Sequence, residues 1–133
     1  MIYAVIDTNV IVSALITQHP DAATVKVLRY IKDKRICPLY DADILDEYKA
    51  VLQRKKLHIN SDAAQAVIDI ICANGMNVQR HQSNIVMPDE DDRVFYEVSL
   101  SKDDSFLVTG NLKHYPISPR IVSPRDFVSI VES

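Results

Sequence analysis

The sequence contains little glycine and little cysteine, and each shortage excludes a class of protein. Only two glycines occur among 133 residues, so flexible linkers and glycine-rich phosphate-binding loops are not expected. The two cysteines, Cys37 and Cys72, lie far apart and have no Cys-x-x-Cys spacing, which argues against a disulfide framework or a zinc ribbon. Because both lie in apolar runs, we expect both to be reduced residues of the core.

Long apolar runs and an excess of basic residues are also missing. No run approaches the length of a membrane span, and no basic segment precedes an apolar run at the N-terminus. We therefore expect a cytoplasmic protein that makes no contact with a membrane. The formal net charge is −3, whereas proteins that bind nucleic acid through bulk charge are usually basic. This argues against a passive nucleic-acid-binding module, but not against a nuclease that gathers carboxylates around a metal ion.

Basic residues are nevertheless grouped in two segments, Lys26 to Arg35 and Arg54-Lys55-Lys56. Solvated helix faces account for both groups. The alternative is a rim that attracts phosphates.

Apolar periodicity predicts strands that alternate with helices in one domain spanning residues 1–133. Hydrophobic residues make up 47% and charged residues 25% of the chain, which is typical of a globular domain. The pattern predicts strands over 2–6, 36–40, 76–79, 105–109 and 120–122, and helices over 10–16, 21–33, 41–54, 61–73, 91–102 and from 124 onward. The helix over 10–16 is apolar on nearly all sides, so we expect it to be covered all round. The alternation implies a parallel sheet with helices on both faces.

Polar residues follow two of the predicted strands. Asp7-Thr8-Asn9 comes after the first strand, and Thr109-Gly110-Asn111 follows the strand over 105–109. In such sheets ligands bind beyond the carboxyl ends of the strands. A carboxylate at position 7 also stands at a helix N-terminus, which stabilises an anion. A simple helix cap is the alternative.

Further acidic residues lie on two of the predicted helices. Glu47 falls at the flank of an apolar stripe, although most helix glutamates are simply solvated. Asp89-Glu90-Asp91-Asp92 begins another helix with more acids than capping needs, and side chains three residues apart can converge. Hard divalent ions take oxygen ligands. Together these acids suggest a Mg²⁺ or Mn²⁺ site that hydrolyses a phosphodiester.

Four segments, in their order along the chain, resemble the PIN-domain family. They are Asp7-Thr8-Asn9-Val10, Ile44-Leu45-Asp46-Glu47-Tyr48 followed by Val51-Leu52, Asp92-Arg93-Val94-Phe95, and Leu107-Val108-Thr109-Gly110-Asn111. Each motif is weak alone, but the ordered set is specific and extends over nearly the whole chain. The resemblance is greatest to members described as toxins of bacterial and archaeal toxin–antitoxin systems, relatives of the VapC toxins. The segments over 111–116 and 123–127 also look like that subgroup.

The resemblance implies a three-layer α/β/α fold around a five-stranded parallel sheet of order 3-2-1-4-5. It implies a hydrolase, namely an endoribonuclease that depends on Mg²⁺ or Mn²⁺ and acts on RNA. It also implies a toxin that pairs with a cognate antitoxin and forms a homodimer.

The resemblance also implies the site residues. Asp7, Glu47 and Asp92 match the family's first three acids and are the implied catalytic and metal-binding residues. Where many PIN domains have a fourth acid, this chain has Asn111, which takes the fourth metal position without a charge. Asp91 stays open as the alternative to Asp92. The implied supporting residues are Thr8, Asn9, Asp89, Asp91 and Thr109.

Three other functions compete with the nuclease. A receiver domain needs a lysine after its last strand, and Ile121-Val122-Ser123-Pro124 has none. A phosphatase with an Asp-x-Asp pair would need its second acid at Asn9. A non-catalytic binding protein with a weakened site stays open because of Asn111. The histidines share no metal-like spacing, and we expect His114 to be structural or exposed.

Overall fold

A parallel five-stranded sheet forms the centre of the computed structural model, which describes residues 1–133. The order β3-β2-β1-β4-β5 confirms the predicted order 3-2-1-4-5, and all four pairings are parallel. The strands are β1 (Ile2–Ile6), β2 (Ile36–Tyr40), β3 (Met76–Asn77), β4 (Phe106–Val108) and β5 (Ile121–Val122).

Six helices surround the sheet in a PIN-like α/β/α arrangement. They are α1 (Thr8–Ile16), α2 (Ala23–Lys32), α3 (Ala42–Leu52), α4 (Ser61–Asn74), α5 (Arg93–Ser99) and α6 (Pro124–Glu132). Short 3₁₀ turns cover Lys55–Leu57, Glu90–Asp92 and Leu112–His114. None of the helices combines the length and the apolar character that crossing a membrane requires.

The central position of β1 follows from its sequence. Ala4, Val5 and Ile6 are fully buried, as expected for a strand that carries helices on both faces of a parallel sheet. β1 pairs with β2 on one side and with β4 on the other. The chain therefore leaves the middle of the sheet at residue 7, next to the end of β4.

Polar side chains begin three of the helices. The Asp41 carboxylate accepts the Ile44 N–H at the start of α3. The Asn60 side-chain oxygen accepts two N–H groups at the start of α4, and the Ser123 hydroxyl accepts the Asp126 N–H ahead of α6. These caps satisfy N–H groups that have no partner within the helix, and Ser123 confirms the predicted opening of the last helix.

Three expectations from the sequence are wrong. Cys37 is buried, but Cys72 is exposed, because Ile71 takes the inward position of α4 and the next residue turns about 100° away from it. Helix α1 is not covered all round, since Ile16 is 53% exposed. The helix predicted over 91–102 is shorter, with a 3₁₀ turn at Glu90–Asp92 before α5.

Candidate active site

Asp7 is a buried carboxylate at the carboxyl end of β1, with only 5% of its surface exposed. One of its oxygens, Oδ2, accepts hydrogen bonds from three side chains that belong to different segments. The Thr109 hydroxyl donates at 2.8 Å, the Tyr115 hydroxyl at 2.9 Å and the Asn9 amide at 3.3 Å. These bonds fix the orientation of the carboxylate, and its other oxygen, Oδ1, accepts none of them.

The Asp7 side chain does not act as a simple helix cap. It occupies the cap position of α1 but makes no capping hydrogen bond, because its carboxylate faces the end of β4 instead. The backbone joins the same two strands, since the Asp7 N–H donates to the Val108 carbonyl at 3.0 Å. The N-terminus of α1 favours the negative charge at this position.

The turn after β4 is tied to the start of α1. The Gly110 N–H donates to Asn9 Oδ1 at 3.0 Å, while the amide nitrogen of Asn9 donates to Asp7. The Thr109 hydroxyl accepts the Asn111 N–H at 3.0 Å and donates to Asp7. The structure thus brings Asn9 and Thr109 to Asp7, at the ends of the two strands where the sequence suggested a site.

Asp92 is the second acid at this edge of the sheet, and its side chain is 16% exposed. Its Oδ2 lies 3.0 Å from Nδ1 of His114. Burial raises the pKa of Asp92, the charge of Asp7 raises it further, and the hydrogen bond from His114 opposes these effects. Asp7 and Asp92 are therefore close enough to repel one another, whereas Asp91 is exposed.

Two buried tyrosines belong to the site and were missed from the sequence. Tyr115 donates to Asp7, and its pKa is raised by burial and by the charges of Asp7 and Asp92, so it stays a neutral donor. Tyr48 donates to the Ile6 carbonyl at 2.5 Å, and burial and Asp7 raise its pKa. Tyr115 stood only in the segment over 111–116 that resembles the toxin subgroup, and Tyr48 only in the family motif over 44–48.

The three predicted acids Asp7, Glu47 and Asp92 do not form one close group in the structure. Glu47 is half-buried on α3, next to Tyr48, whose hydroxyl reaches the end of β1. However, no three His, Cys, Asp or Glu side chains lie close enough together in the structure to form a metal site. The hydrogen bond from Tyr48 shows that α3 passes the end of β1. Asp7 and Asp92 are the two acids whose electrostatic interaction the structure supports.

Three other predicted site residues, Asp89, Asn111 and Thr8, make no side-chain hydrogen bond to Asp7 or Asp92. The Asp89 carboxylate accepts the Asp91 N–H at 3.0 Å and so begins the 3₁₀ turn at Glu90–Asp92. Asn111 is exposed ahead of the turn at Leu112–His114, and its side chain makes no capping bond. Thr8 is buried and its hydroxyl has no hydrogen-bond partner.

Two grooves lie beside Asp7. One of about 420 Å³ is lined by residues that include Thr109, Asn111 and His114. The other, of about 390 Å³, is lined by residues that include Thr8 and Asn9. A larger cavity of about 560 Å³ lies between α3 and α4, but no acidic residue lines it. We therefore centre the candidate site on Asp7 and Asp92, whose carboxylates could hold a divalent ion.

Comparison with known protein families decides the classification. The family model described as PIN domain matches residues 3–113. The chain belongs to the PIN-domain family. The match runs from β1 to the turn at Leu112–His114 and includes all four predicted metal-site residues, Asp7, Glu47, Asp92 and Asn111. No curated protein and no solved structure matches the chain.

PIN domains are generally nucleases that act on nucleic acid and typically use divalent metal ions. The donor chemistry of this PIN domain fits such an ion. Carboxylate oxygens suit Mg²⁺ and Mn²⁺, and Oδ1 of Asp7 is free of the three bonds that hold Oδ2. Burial first, and then the charge of Asp7, raise the pKa of Asp92, and a bound cation would favour the ionised carboxylate against both effects. One or two carboxylates with water and substrate phosphates are a common set of ligands for Mg²⁺.

We expect Asp92→Asn to raise the melting temperature of the metal-free protein at pH 7 by a few degrees. About 1 kcal/mol moves the melting temperature of a domain of this size by roughly 3 °C. Burial and Asp7 disfavour the ionised carboxylate, whereas an amide has no charge and still offers His114 an acceptor. Because the folded pKa lies above the unfolded one, the stability from protonated Asp92 is present below its ordinary pKa. It is lost as pH rises through the folded pKa.

Thermal unfolding in EDTA between pH 4 and pH 7 measures this effect. The advantage of Asp92→Asn should shrink as pH falls toward about 4, the ordinary pKa of an aspartate. Asp91→Asn is the matched control, because Asp91 is exposed in the same turn. Equal melting temperatures of both variants at pH 7 would show that Asp92 is not under electrostatic repulsion.

Proposed function

We propose that this PIN domain is an endoribonuclease that hydrolyses RNA at Asp7 and Asp92 and depends on Mg²⁺ or Mn²⁺. One observation carries the proposal: a buried, oriented carboxylate lies beside a second acid whose pKa is raised. Burial and the charge of Asp7 disfavour the ionised form of Asp92, and a bound cation would offset this cost. Such perturbed acids are concentrated at functional sites.

Each residue has a stated role in this proposal. Asp7 and Asp92 would hold the ion, with Glu47 as the third acid and Asn111 as an uncharged fourth position. The ion, when bound, supplies activation of water and neutralisation of the leaving oxygen. The chain's own polar groups orient the acids: Asn9, Thr109 and Tyr115 hold Asp7, and His114 holds Asp92. Thr8 follows Asp7 at the start of α1, and Asp89 and Asp91 add negative charge near Asp92.

The decisive experiment uses RNA and DNA of the same sequence. Purified protein should cleave single-stranded or structured RNA in Mg²⁺ or Mn²⁺, leave the DNA intact, and stop when EDTA is added. Cleavage of both nucleic acids would support nuclease activity but contradict the proposed preference for RNA. Intact RNA under both metals, in protein that is shown to be folded, would contradict the proposal.

We also propose that the enzyme is a toxin with a cognate antitoxin. The support is the resemblance of residues 111–116 and 123–127 to the toxin subgroup, together with exposed apolar side chains at Ile16, Leu112 and Ile117, which suit a partner or a second copy. Induced expression should arrest bacterial growth, and co-expression of a small protein encoded next to the gene should restore it. Light scattering tests the expected homodimer.

A second candidate function is an RNA- or protein-binding module with weakened catalysis. Two observations favour it: Asn111 brings no charge, and the three predicted acids do not form one group. Such a module would bind RNA equally well with and without metal and would not cleave it. The cleavage experiment therefore separates the two functions.

Millimolar Mn²⁺ should raise the melting temperature of the parent protein. An ion that binds only the folded state stabilises it by mass action, by about 2.7 kcal/mol at a hundred times its dissociation constant. Asp7→Asn and Asp92→Asn should each lose most of this rise. Asp46→Asn is the control, because Asp46 is exposed beside Glu47 on α3. An equal rise in all four proteins would place the metal elsewhere.

A further inference from the structure

A groove of about 390 Å³ opens beside Asp7, between α1 and the segment that links α3 to α4. Thr8, Asn9 and Ser13 line it from α1, and Arg54 and Lys56 line it from the linking segment. Its volume is in the range of small-ligand sites, which suits one nucleotide and not a duplex.

The groove carries positive charge that nothing in the protein neutralises. Arg54 and Lys56 are exposed, and neither takes part in the salt bridges of the structure. No acidic residue lines the groove, although the protein as a whole has a net charge of −3. Both side chains are therefore available for an anion, and arginine and lysine are common phosphate ligands.

One of the residues that line the groove carries an unsatisfied polar group. Thr8 lies in the first turn of α1 and is only 6% exposed, and its hydroxyl has no hydrogen-bond partner. Leaving a buried polar group unpaired costs about 1–3 kcal/mol. Threonine in a helix divides between two χ1 rotamers, so its hydroxyl can turn toward a ligand in the groove. The N-terminus of the same helix favours a phosphate.

Asn9 connects the groove to the acidic site. Asn9 lines the groove, and its amide nitrogen donates to Oδ2 of Asp7. An RNA strand whose phosphate occupies the groove would therefore lie one residue away from Asp7. The acids themselves repel the phosphates of RNA. The attraction of Arg54 and Lys56 for a phosphate in the groove would compensate for this repulsion.

We propose that this groove is a subsite for a backbone phosphate of single-stranded RNA, next to the bond that is cleaved. Arg54 and Lys56 neutralise the phosphate, and the Thr8 hydroxyl donates a hydrogen bond to it. The inference rests on the nuclease function proposed above and adds the place where the substrate strand is held.

The chain offers a matched control for the charge. Lys55 lies between Arg54 and Lys56 in the sequence and is likewise exposed to solvent. It lines the 560 Å³ cavity between α3 and α4 and not the groove beside Asp7. Lys55→Gln and Lys56→Gln therefore remove the same charge from adjacent positions that face different cavities.

Fluorescence anisotropy with a short fluorescein-labelled single-stranded RNA measures binding without cleavage when EDTA is present. Lys56→Gln and Arg54→Gln should each weaken binding several-fold and reduce the salt slope by about 0.7, the value for one phosphate contact on a single strand. Lys55→Gln should bind like the parent. Thr8→Val should weaken binding without a change in salt slope, and Thr8→Ser should restore it. Equal losses for Lys55→Gln and Lys56→Gln, or no loss for either, would overturn the subsite.

Two further outcomes separate this inference from the nuclease function. Groove-dependent RNA binding by a parent that never cleaves RNA would support the subsite and contradict the nuclease. Cleavage with an unchanged KM in Lys56→Gln would support the nuclease and overturn the subsite. Poly-glutamate can be titrated in the same way as a probe for an acidic protein partner. If Lys56→Gln weakened the binding of poly-glutamate but left RNA affinity unchanged, the RNA subsite would also be overturned.

Discussion

Asp7→Asn should reduce RNA cleavage by well over 100-fold while the protein remains folded. The amide has nearly the same shape as the carboxylate, and its oxygen can still accept hydrogen bonds from Thr109 and Tyr115. It lacks the charge that would hold a divalent ion. Loss of a group that merely orients a metal ligand costs about 10–100-fold, so loss of the ligand itself should cost more.

Single-turnover cleavage at saturating Mn²⁺ measures this effect, and the melting temperature of each variant confirms that it is folded. Asp46→Asn provides the control, because it removes one negative charge from an exposed position on α3. Its cleavage rate should match that of the parent. A parental rate for Asp7→Asn, in a preparation free of other nucleases, would show that Asp7 is not catalytic.

The sequence was sufficient for the elements of the fold because buried parallel strands have a simple signature. Ile2–Ile6 and Ile36–Tyr40 are short, largely apolar runs. The residues between them have the apolar periodicity of helices. Alternation alone gives a parallel sheet, whereas the strand order was taken from the family resemblance. The start of α5 was misplaced because four consecutive acids at 89–92 suit a 3₁₀ turn as well as an α-helix.

The sequence was less informative about the site, and the reason is geometric. Asp7 and Thr109 each follow a buried strand, and parallel topology brings such positions to one edge of the sheet. His114 ends a short 3₁₀ turn and Tyr115 follows it, in a segment where no apolar periodicity predicts the direction of a side chain. For Glu47 a helical wheel gives only the face of α3, which agrees with its half-buried position, and not its distance from Asp7.

Gly75→Ala should destabilise the protein by about 3 kcal/mol, which lowers its melting temperature by roughly 10 °C. Gly75 follows α4 where this helix packs against β2. An added Cβ would lie 2.4 Å from the Pro38 carbonyl oxygen and 2.5 Å from the Ile71 carbonyl oxygen. Both contacts are with backbone atoms, so a strand or a helix end must move. The backbone of Gly75, with φ −106°, is open to any residue, so close approach alone explains the glycine.

Gly110→Ala is the matched comparison, because the chain has only these two glycines. Its Cβ would lie 3.3 Å from the nearest atom, the side-chain oxygen of Asn9, which can give way by a few tenths of an ångström. We expect its melting temperature to fall by less than half as much. Gly75 lies at the β2 side of the sheet, away from Asp7, so folded Gly75→Ala below its melting temperature should cleave RNA at the parental rate. Equal destabilisation of the two variants would mean that β2 and the end of α4 do not pack as closely as described.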